Sequence, residues 1–128
     1  MNFCKMNFED YLEKMQQKLA SKSEINGPLG CVEWRGGCSG LYGVIRFKFF
    51  GSPVSKIIRV HRLQYMISSK NFDLSPEMDV SHVCHNNLCI SPNHLSYESH
   101  RINMEREQCK HKIPKHCQGH PGYPDCIF

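Results

Sequence analysis

A run of cysteines and histidines in the second half of the chain has the residue types and the spacing of a zinc site. Residues 81–99 read SHVCHNNLCISPNHLSYES and contain the pattern Cys-x4-Cys-x4-His. The three potential ligands are Cys84, Cys89 and His94. A closed tetrahedral Cys3His site needs one more thiolate, for which Cys31 and Cys38 are the candidates. We therefore predict a zinc site that joins this run to a segment far upstream.

The C-terminal residues 109–128 contain a second set of ligands, which is complete by itself. This segment is rich in Cys, His, Pro and Gly and shows no helical or strand periodicity. The ligands are Cys109, Cys117, His120 and Cys126, and His111 or His116 could replace His120. Thiolate and imidazole donors favour Zn²⁺ over Mg²⁺ or Ca²⁺, and four protein ligands leave no coordination position open. Both zinc sites are therefore predicted to be structural.

The composition and the N-terminal residues bear on the compartment. The chain has 128 residues, which suits one domain, and it contains eight Cys and eight His. Such a cysteine count is typical either of secreted disulfide-rich proteins or of intracellular zinc proteins. The N-terminal residues lack the apolar run of a signal peptide, and no segment reaches the ~20 apolar residues of a membrane span. We therefore expect an intracellular protein with reduced thiols, nuclear in a eukaryote, that is neither secreted nor membrane-bound.

Positive charge is concentrated in one segment. The formal net charge is +4, from 16 basic and 12 acidic residues. No acidic residue lies between Trp34 and Phe72, whereas this segment contains Arg35, Arg46, Lys48, Lys56, Arg59, Arg62 and Lys70. A localised positive field of this kind is typical of proteins that bind nucleic acid, although a solvated basic surface is the alternative.

Two predicted strands lie within the basic segment. The first, LYGVIRFKFF, alternates apolar residues with Arg46 and Lys48, and the second is the β-branched VSKIIRV. The intervening GSP predicts a turn, so the two strands form an antiparallel ribbon. A two-stranded ribbon fits the major groove of DNA. The predicted DNA contacts are Arg46, Lys48, Lys56 and Arg59, and an ordinary half-exposed sheet is the alternative.

The whole chain is predicted to be a single domain of the α+β class, since no long linker or internal repeat divides it. Its predicted parts are an N-terminal helix over 8–20, the ribbon over 41–60, a strand-loop-strand-helix unit over 79–107 and the second zinc site over 109–126. Ser99 is the predicted N-cap of the helix that ends this unit.

The first ligand run also carries a family resemblance. Extended to SHVCHNNLCISPNHLSYESHRIN, with a cysteine six positions after Asn103, it resembles the His-Cys box of homing endonucleases, which are ββα-metal (His-Me finger) nucleases. The resemblance takes in GCVEW and LYGVIRF upstream and the Cys/His-rich tail downstream, over about residues 29–126. It implies a small zinc-stabilised ββα-metal domain with an antiparallel β-ribbon and short helices. It also implies that Cys31, and not Cys38, completes the first zinc site.

The same resemblance implies the chemistry. The general base would be His82, and Asn103 would bind a catalytic Mg²⁺. A neutral imidazole can accept a proton from water near neutral pH, and Mg²⁺ keeps several waters and so needs few protein ligands. The family also uses an arginine of the ribbon to stabilise the transition state, for which Arg46 and Arg59 compete with Lys56. The predicted function is a metal-dependent endonuclease that hydrolyses phosphodiester bonds of double-stranded DNA, with two structural Zn²⁺ and one Mg²⁺.

Several alternatives stay open from the sequence. His85 is a rival base, and His61 is expected to be a surface residue or a neighbour of the ligands. The same scaffold without catalysis resembles the zinc-containing DNA-binding domain of Smad transcription factors, and the pair His82 and Asn103 distinguishes the two functions.

The sequence ends two residues after Cys126, without the extension through which homing enzymes of this type dimerise. A homodimer and a part of a larger nucleoprotein assembly are therefore both left open.

Overall fold

Three helices and seven short strands make up the fold of residues 6–128, which the computed structural model describes. The helices are α1 (Phe8–Ser21), α2 (Val60–Ser69) and α3 (His100–Lys110). The strands are β1 (Ser23–Asn26), β2 (Cys31–Trp34), β3 (Cys38–Ser39), β4 (Tyr42–Lys48), β5 (Ser55–Arg59), β6 (Met78–His82) and β7 (Leu95–Ser99). They pair antiparallel as β1-β2, β3-β4-β5 and β6-β7. The predicted α+β class is thus confirmed.

The apolar core lies between α1, α2 and the three-stranded sheet. Helix α1 begins after Asn7, whose side-chain oxygen accepts a hydrogen bond of 2.8 Å from the backbone N–H of Asp10. The buried apolar residues of this core are Leu12, Leu19, Trp34, Ile45, Phe47, Val60, Leu63, Met66, Ile67 and Ile90. Strands β6 and β7 contribute no residue to this list, so the unit that they form with α3 also depends on other interactions. No helix among the described residues is long and apolar enough to cross a membrane.

The register of β4 and β5 decides which basic residues share a face. Arg46 pairs with Ile57 and Lys48 with Ser55, whereas Phe47 pairs with Lys56. Directly paired residues of antiparallel strands project from the same face of the sheet. Lys56 therefore lies on the face of the buried Phe47, where its Nζ is 5.6 Å from the centroid of the Phe49 ring. Arg46, Lys48 and Arg59 share the opposite, outer face, so the four predicted DNA contacts do not form one surface.

The strands β6 and β7 and the helix α3 form a compact ββα unit. The hydroxyl of Ser99 accepts a hydrogen bond of 3.3 Å from the N–H of Ile102 and caps α3, as predicted. Arg106 of α3 forms a buried, bidentate ion pair with Glu98 of β7, with Nε–Oε2 at 2.6 Å and Nη2–Oε1 at 2.8 Å. Removing one member of such a pair costs roughly 3–5 kcal/mol, because the other charge is left buried.

Trp34 needs two glycines beside it. Its indole N–H donates a hydrogen bond of 2.9 Å to the carbonyl of Gly37, and its ring is 2% exposed. A Cβ on Gly43 of β4 would lie 2.3 Å from Cδ1 of this ring, and one on Gly36 would lie 2.3 Å from Cζ2. The buried indole therefore occupies space that any side chain at these positions would require.

We predict that Gly43→Ala destabilises the fold by about 1–3 kcal/mol, because the methyl group overpacks the site of Trp34. Gly37→Ala is the matched control, since a Cβ there meets no atom within 4 Å, and its effect should stay within about 0.5 kcal/mol. Urea unfolding of the zinc-loaded proteins measures both. Equal stability of the two variants would contradict the packing of the indole against Gly43.

Candidate metal centres and catalytic cleft

The first Cys/His group comes together as a buried tetrad. Its members are Cys31, Cys84, Cys89 and His94, and their ligand atoms all lie within 4.8 Å of one another. Nδ1 of His94 is 3.6 Å from Sγ of Cys31 and 3.4 Å from Sγ of Cys89. Zn–S and Zn–N bonds of about 2.3 and 2.0 Å in a tetrahedron would place sulfur and nitrogen about 3.5 Å apart. The tetrad therefore fits a structural zinc ion, and it includes Cys31 while Cys38 is exposed elsewhere.

Backbone pairing brings the loop between β6 and β7 to strand β2, which carries Cys31. The N–H of Trp34 donates to the carbonyl of Leu88 at 2.8 Å, and the N–H of Ile90 donates to that of Val32 at 2.7 Å. A short 3-10 turn, Pro92–His94, then places the imidazole. The upstream and downstream ligands thus meet because the loop runs beside β2.

Within this tetrad the thiolate form is favoured at Cys89, whereas the hydrogen bond with Cys89 raises the pKa of Cys84 and burial raises the pKa of Cys31. A hydrogen bond with the Cys84 thiol lowers the pKa of Cys89 to about 5; burial opposes this shift and the backbone at Ser91 and Val32 supports it. A thiolate is the form that binds metal.

The second group forms another tetrad, at the end of α3. Its members are Cys109, Cys117, His120 and Cys126, with all ligand atoms within 4.8 Å of one another. Nε2 of His120 is 3.6 Å from Sγ of Cys109 and 3.5 Å from Sγ of Cys126. Backbone N–H groups donate to the sulfurs, including that of Cys126 itself to Cys117 at 3.2 Å. This geometry fits a second structural zinc ion.

The histidine of the second tetrad is His120, and the two alternative histidines contact other groups. Nδ1 of His120 lies 3.3 Å from a carboxylate oxygen of Glu105, an arrangement that fixes the ring orientation of a metal-binding histidine. The alternative ligands have other partners: Nε2 of His111 lies 3.4 Å from Glu107, and Nδ1 of His116 lies 3.0 Å from the carbonyl of Pro114. The tetrad therefore forms without them.

A cleft of about 380 Å³ lies between the ribbon, β6 and α3. The chemistry-bearing residues that line it include Tyr42, Arg59, His61, Arg62, Asp79, His82, His85, His100 and Asn103. His82 ends β6, and Asn103 lies in the first turns of α3. The two residues that the family resemblance singles out for catalysis thus face the same space from different elements.

His82 has the surroundings of a neutral imidazole. It is 9% exposed, and its Nε2 has no hydrogen-bond partner among residues 6–128. Its ring centroid is 4.4 Å from that of His61 and 6.1 Å from that of Tyr42. Burial lowers the pKa of His82 to about 4; a hydrogen bond with the backbone of Cys89 opposes this shift, and the charge of His85 adds to it. A buried, neutral ring with an unpaired nitrogen is able to accept a proton.

His61 lines the cleft, so of the two positions expected for it, the one at the surface is wrong. It is 7% exposed rather than at the surface. Burial, the charge of His82 and the charge of Arg59 lower the pKa of His61 to about 3. Its position at the start of α2, directly after the ribbon, is the feature that could have indicated it.

Asn103 is held by a carboxylate that the sequence did not single out. Its Nδ2 donates to Oδ2 of Asp79 at 2.9 Å, and Nδ1 of His100 lies 2.8 Å from the same oxygen. Burial raises the pKa of Asp79, but the hydrogen bonds from His100 and Asn103 outweigh burial and hold it below the ordinary value. The carboxyl group is therefore ionised near neutral pH.

Among the competing basic residues of the ribbon, Arg59 lines the cleft. Its guanidinium carbon lies 4.3 Å from the ring centroid of Tyr42, which holds it beside the histidines. Arg46 instead donates to the hydroxyl of Ser55 at 3.2 Å, towards the far end of the ribbon. Lys56 lies on the other face. Tyr42 is a further cleft residue that sequence reasoning missed.

His85, the rival base, also lines the cleft and lies on a turn with a left-handed backbone conformation. It has a φ of 62°, and its ring stacks on Phe128 at 5.0 Å with an interplanar angle of 5°. Its Nε2 is buried without a hydrogen-bond partner among the described residues. Burial lowers the pKa of His85 to about 4, with the charge of Glu107 opposing this. The stacking on Phe128 sets it apart from the cluster of His61, His82 and Tyr42.

We predict that His120→Ala reduces the zinc content from about two ions to about one per chain, because it removes one of four ligands of a closed site. Elemental analysis of the purified protein measures this. His116→Ala is the matched control, since that exposed histidine lies outside the tetrad, and it should keep both ions. Two bound ions in the His120→Ala protein would mean that zinc binding at this site does not depend on His120.

The comparisons with known proteins agree with this geometry. Residues 38–127 match the family described as the zinc-binding loop region of homing endonuclease. Among curated proteins and among solved structures, no significant match was found. The family match covers most of the chain, including the loop of the first tetrad, the cleft residues of β6 and α3 and all of the second tetrad. The protein therefore belongs to the zinc-binding-loop family of homing endonucleases.

Proposed function

We propose that this protein is a Mg²⁺-dependent DNA endonuclease that hydrolyses a phosphodiester bond in the cleft between the ribbon, β6 and α3. One observation carries the proposal: His82, with an unpaired Nε2, and Asn103, with a fixed amide group, line the same cleft. Family membership supports DNA as the substrate. We also propose that the protein acts inside the cell, in the nucleus of a eukaryote, where its thiolates stay reduced.

His82 is the proposed general base. Its Nε2 takes a proton from the attacking water, a new P–O bond forms, and the bond to the leaving oxygen breaks, after which that oxygen takes a proton from solvent water. A positioned base of this kind contributes roughly 10²–10⁴-fold to the rate. Because the ring is neutral, the lone pair of Nε2 is free to accept the proton at physiological pH, although the low pKa that burial causes makes this imidazole a weaker base than an exposed one. The packing of its ring beside His61 and Tyr42 keeps it from rotating away from the cleft.

Asn103 is the proposed protein ligand of Mg²⁺. Since its Nδ2 donates to Asp79, its carbonyl oxygen is the atom left for a cation, and oxygen is the donor that Mg²⁺ prefers. The negative charge of Asp79 beside it also suits a cation. When bound, Mg²⁺ would supply positive charge that stabilises the phosphate as it is attacked. The residues of the cleft thus fit the ion that the family resemblance implies.

The ribbon is proposed to have two separate tasks. Arg59, stacked on Tyr42 at the cleft, stabilises the charge that develops on the phosphate. Arg46 and Lys48, farther along the outer face of the ribbon, bind the DNA backbone or base edges. Lys56 lies on the other face, and we leave it out of the DNA-binding surface.

We predict that His82→Ala slows cleavage by roughly 10²–10⁴-fold, because it removes the proton acceptor. The assay follows nicking of supercoiled plasmids that carry a randomised insert, with Mg²⁺ and zinc-loaded protein. His116→Ala, an exposed histidine away from the cleft, serves as the control, and zinc content and DNA binding should be unchanged in both. Equal nicking by the His82→Ala protein would rule out this base, and DNA binding without any cutting by the wild-type protein would favour a non-catalytic, Smad-like DNA-binding module.

We also predict that substitutions of the two arginines of the ribbon affect different steps, DNA binding for Arg46 and turnover of bound DNA for Arg59. Arg46→Gln should weaken DNA binding and reduce the salt dependence of binding by about one ion, with little effect on turnover of bound DNA. Arg59→Gln should lower the turnover of bound DNA instead, because its charge acts at the reacting phosphate. Single-turnover cleavage with saturating protein distinguishes the two effects. The reverse pattern would assign the catalytic arginine to Arg46.

A further inference from the structure

The carboxylate of Asp79 joins strand β6 to helix α3 inside the cleft. One of its oxygens, Oδ2, accepts a hydrogen bond of 2.9 Å from Nδ2 of Asn103. The same oxygen lies 2.8 Å from Nδ1 of His100. His100 and Asn103 are three residues apart and therefore lie on one face of α3. The Asp79 side chain is 30% exposed, whereas that of His100 is 70% exposed. The contact with Asn103 is thus the more sheltered of the two.

This hydrogen bond selects which end of the Asn103 amide faces the rest of the cleft. The terminal torsion of an asparagine is broad and roughly two-fold, so an unrestrained amide can present either its NH2 or its oxygen. Only the oxygen can bind a cation, since the NH2 group is a donor. A carboxylate accepts a hydrogen bond from the NH2 and repels the oxygen. Asp79 therefore fixes the amide with Nδ2 towards itself and leaves Oδ1 for a ligand.

Asp79 also balances positive charge in the cleft. Arg59 and Arg62 both line it, and a divalent cation would be repelled by them. Arg62 is held in place by hydrogen bonds of 3.1 Å to the carbonyl of Met78 and 3.0 Å to that of Ser75, so its charge stays close to β6. The ionised carboxylate of Asp79, on the same strand as His82, offsets part of this repulsion.

We propose that Asp79 is a positioning residue for the catalytic cation: it turns the carbonyl oxygen of Asn103 to the metal and contributes the compensating negative charge. The inference rests on the proposed function, since it assigns a partner to the proposed Mg²⁺ ligand. His100 has a lesser part, because it is largely exposed and contacts Asp79 without reaching Asn103.

The test uses Mn²⁺ as the probe and the full, zinc-loaded chain. In ¹⁵N-labelled protein, the side-chain amide signal of Asn103 is identified by its loss in Asn103→Asp, and Mn²⁺ is then added until that signal is half broadened. Asp79→Ala removes both the acceptor and the charge, and Asp79→Asn keeps an acceptor oxygen but removes the charge. Asp73→Asn, which removes an exposed carboxylate outside the cleft, is the matched control for charge.

We expect Asp79→Ala to require about 10–100-fold more Mn²⁺ than wild type, the usual cost of losing a group that orients a metal ligand. Asp79→Asn should lie between Asp79→Ala and wild type, and Asp73→Asn should match wild type. The Mg²⁺ concentration for half-maximal plasmid cleavage should rise in the same order, and the amide signal of Asn103 should shift in Asp79→Ala before any metal is added. Zinc content, measured in each variant, should stay unchanged.

If the Asn103 signal of Asp79→Ala is half broadened at the same Mn²⁺ concentration as that of the wild type, the inference is overturned. It is also overturned if Asp79→Ala and Asp79→Asn weaken Mn²⁺ binding equally, because the charge alone would then act. These outcomes are distinct from failure of the proposed function. If the wild-type protein neither cleaves DNA nor shows Mn²⁺ broadening at Asn103, the nuclease function itself fails. If it does both, the function stands and the variants decide only the part played by Asp79.

Discussion

Metal ligation at the first tetrad is the constraint on which the second half of the molecule depends. Within the loop between β6 and β7, Ile90 belongs to the main apolar core, whereas the buried cluster around the ligands consists of Cys31, Cys84 and Cys89, with Leu29 and Ile127 at its edge. Zinc binding at sites of this kind is worth on the order of 10–16 kcal/mol in isolated peptides, enough to replace a local hydrophobic core. The loop joins β6 to β7, whose antiparallel pairing sets the distance between the end of β6 and the start of α3, where the cleft forms.

Helix α3 connects that cleft to the second tetrad. At its N-terminal end it is capped by Ser99 and tied to Asp79 through Asn103. Near its C-terminal end, Arg106 joins Glu98 of β7 and also contacts the carbonyl of Pro124 at 2.8 Å and Sγ of Cys126 at 3.5 Å. Burial raises the pKa of Glu98, but the ion pair with Arg106 outweighs burial and keeps that pKa below its ordinary value. The aperiodic tail is thereby fastened to the same helix that supplies Asn103.

Much of the fold follows from local patterns, whereas the cleft does not. The amphipathic helix at the N-terminus, the ribbon and the N-cap at Ser99 are each encoded in a few neighbouring residues, through periodicity and capping chemistry. Tyr42 and Asp79 carried no such signal, and His61 offered only its position directly after the ribbon. Each acquires its part in the cleft only from packing against a segment distant in the chain, and an isolated tyrosine, histidine or aspartate has no spacing from which that packing could be inferred.

The sequence by itself determined which two stretches carry the metal ligands and where the basic segment lies, because ligand spacing and strand alternation are properties of short stretches of chain. Residue spacing did not distinguish Cys31 from Cys38 as the fourth ligand of the first site, and only the family resemblance favoured Cys31. Nor did it show which basic residue of the ribbon, Arg46, Lys56 or Arg59, stabilises the transition state. Only the tertiary structure decided that β2 runs beside the ligand loop, that the register turns Lys56 to the core face, and that Arg59 reaches the cleft. The reason is physical: these outcomes depend on strand pairing and close packing between distant segments, which no local pattern specifies.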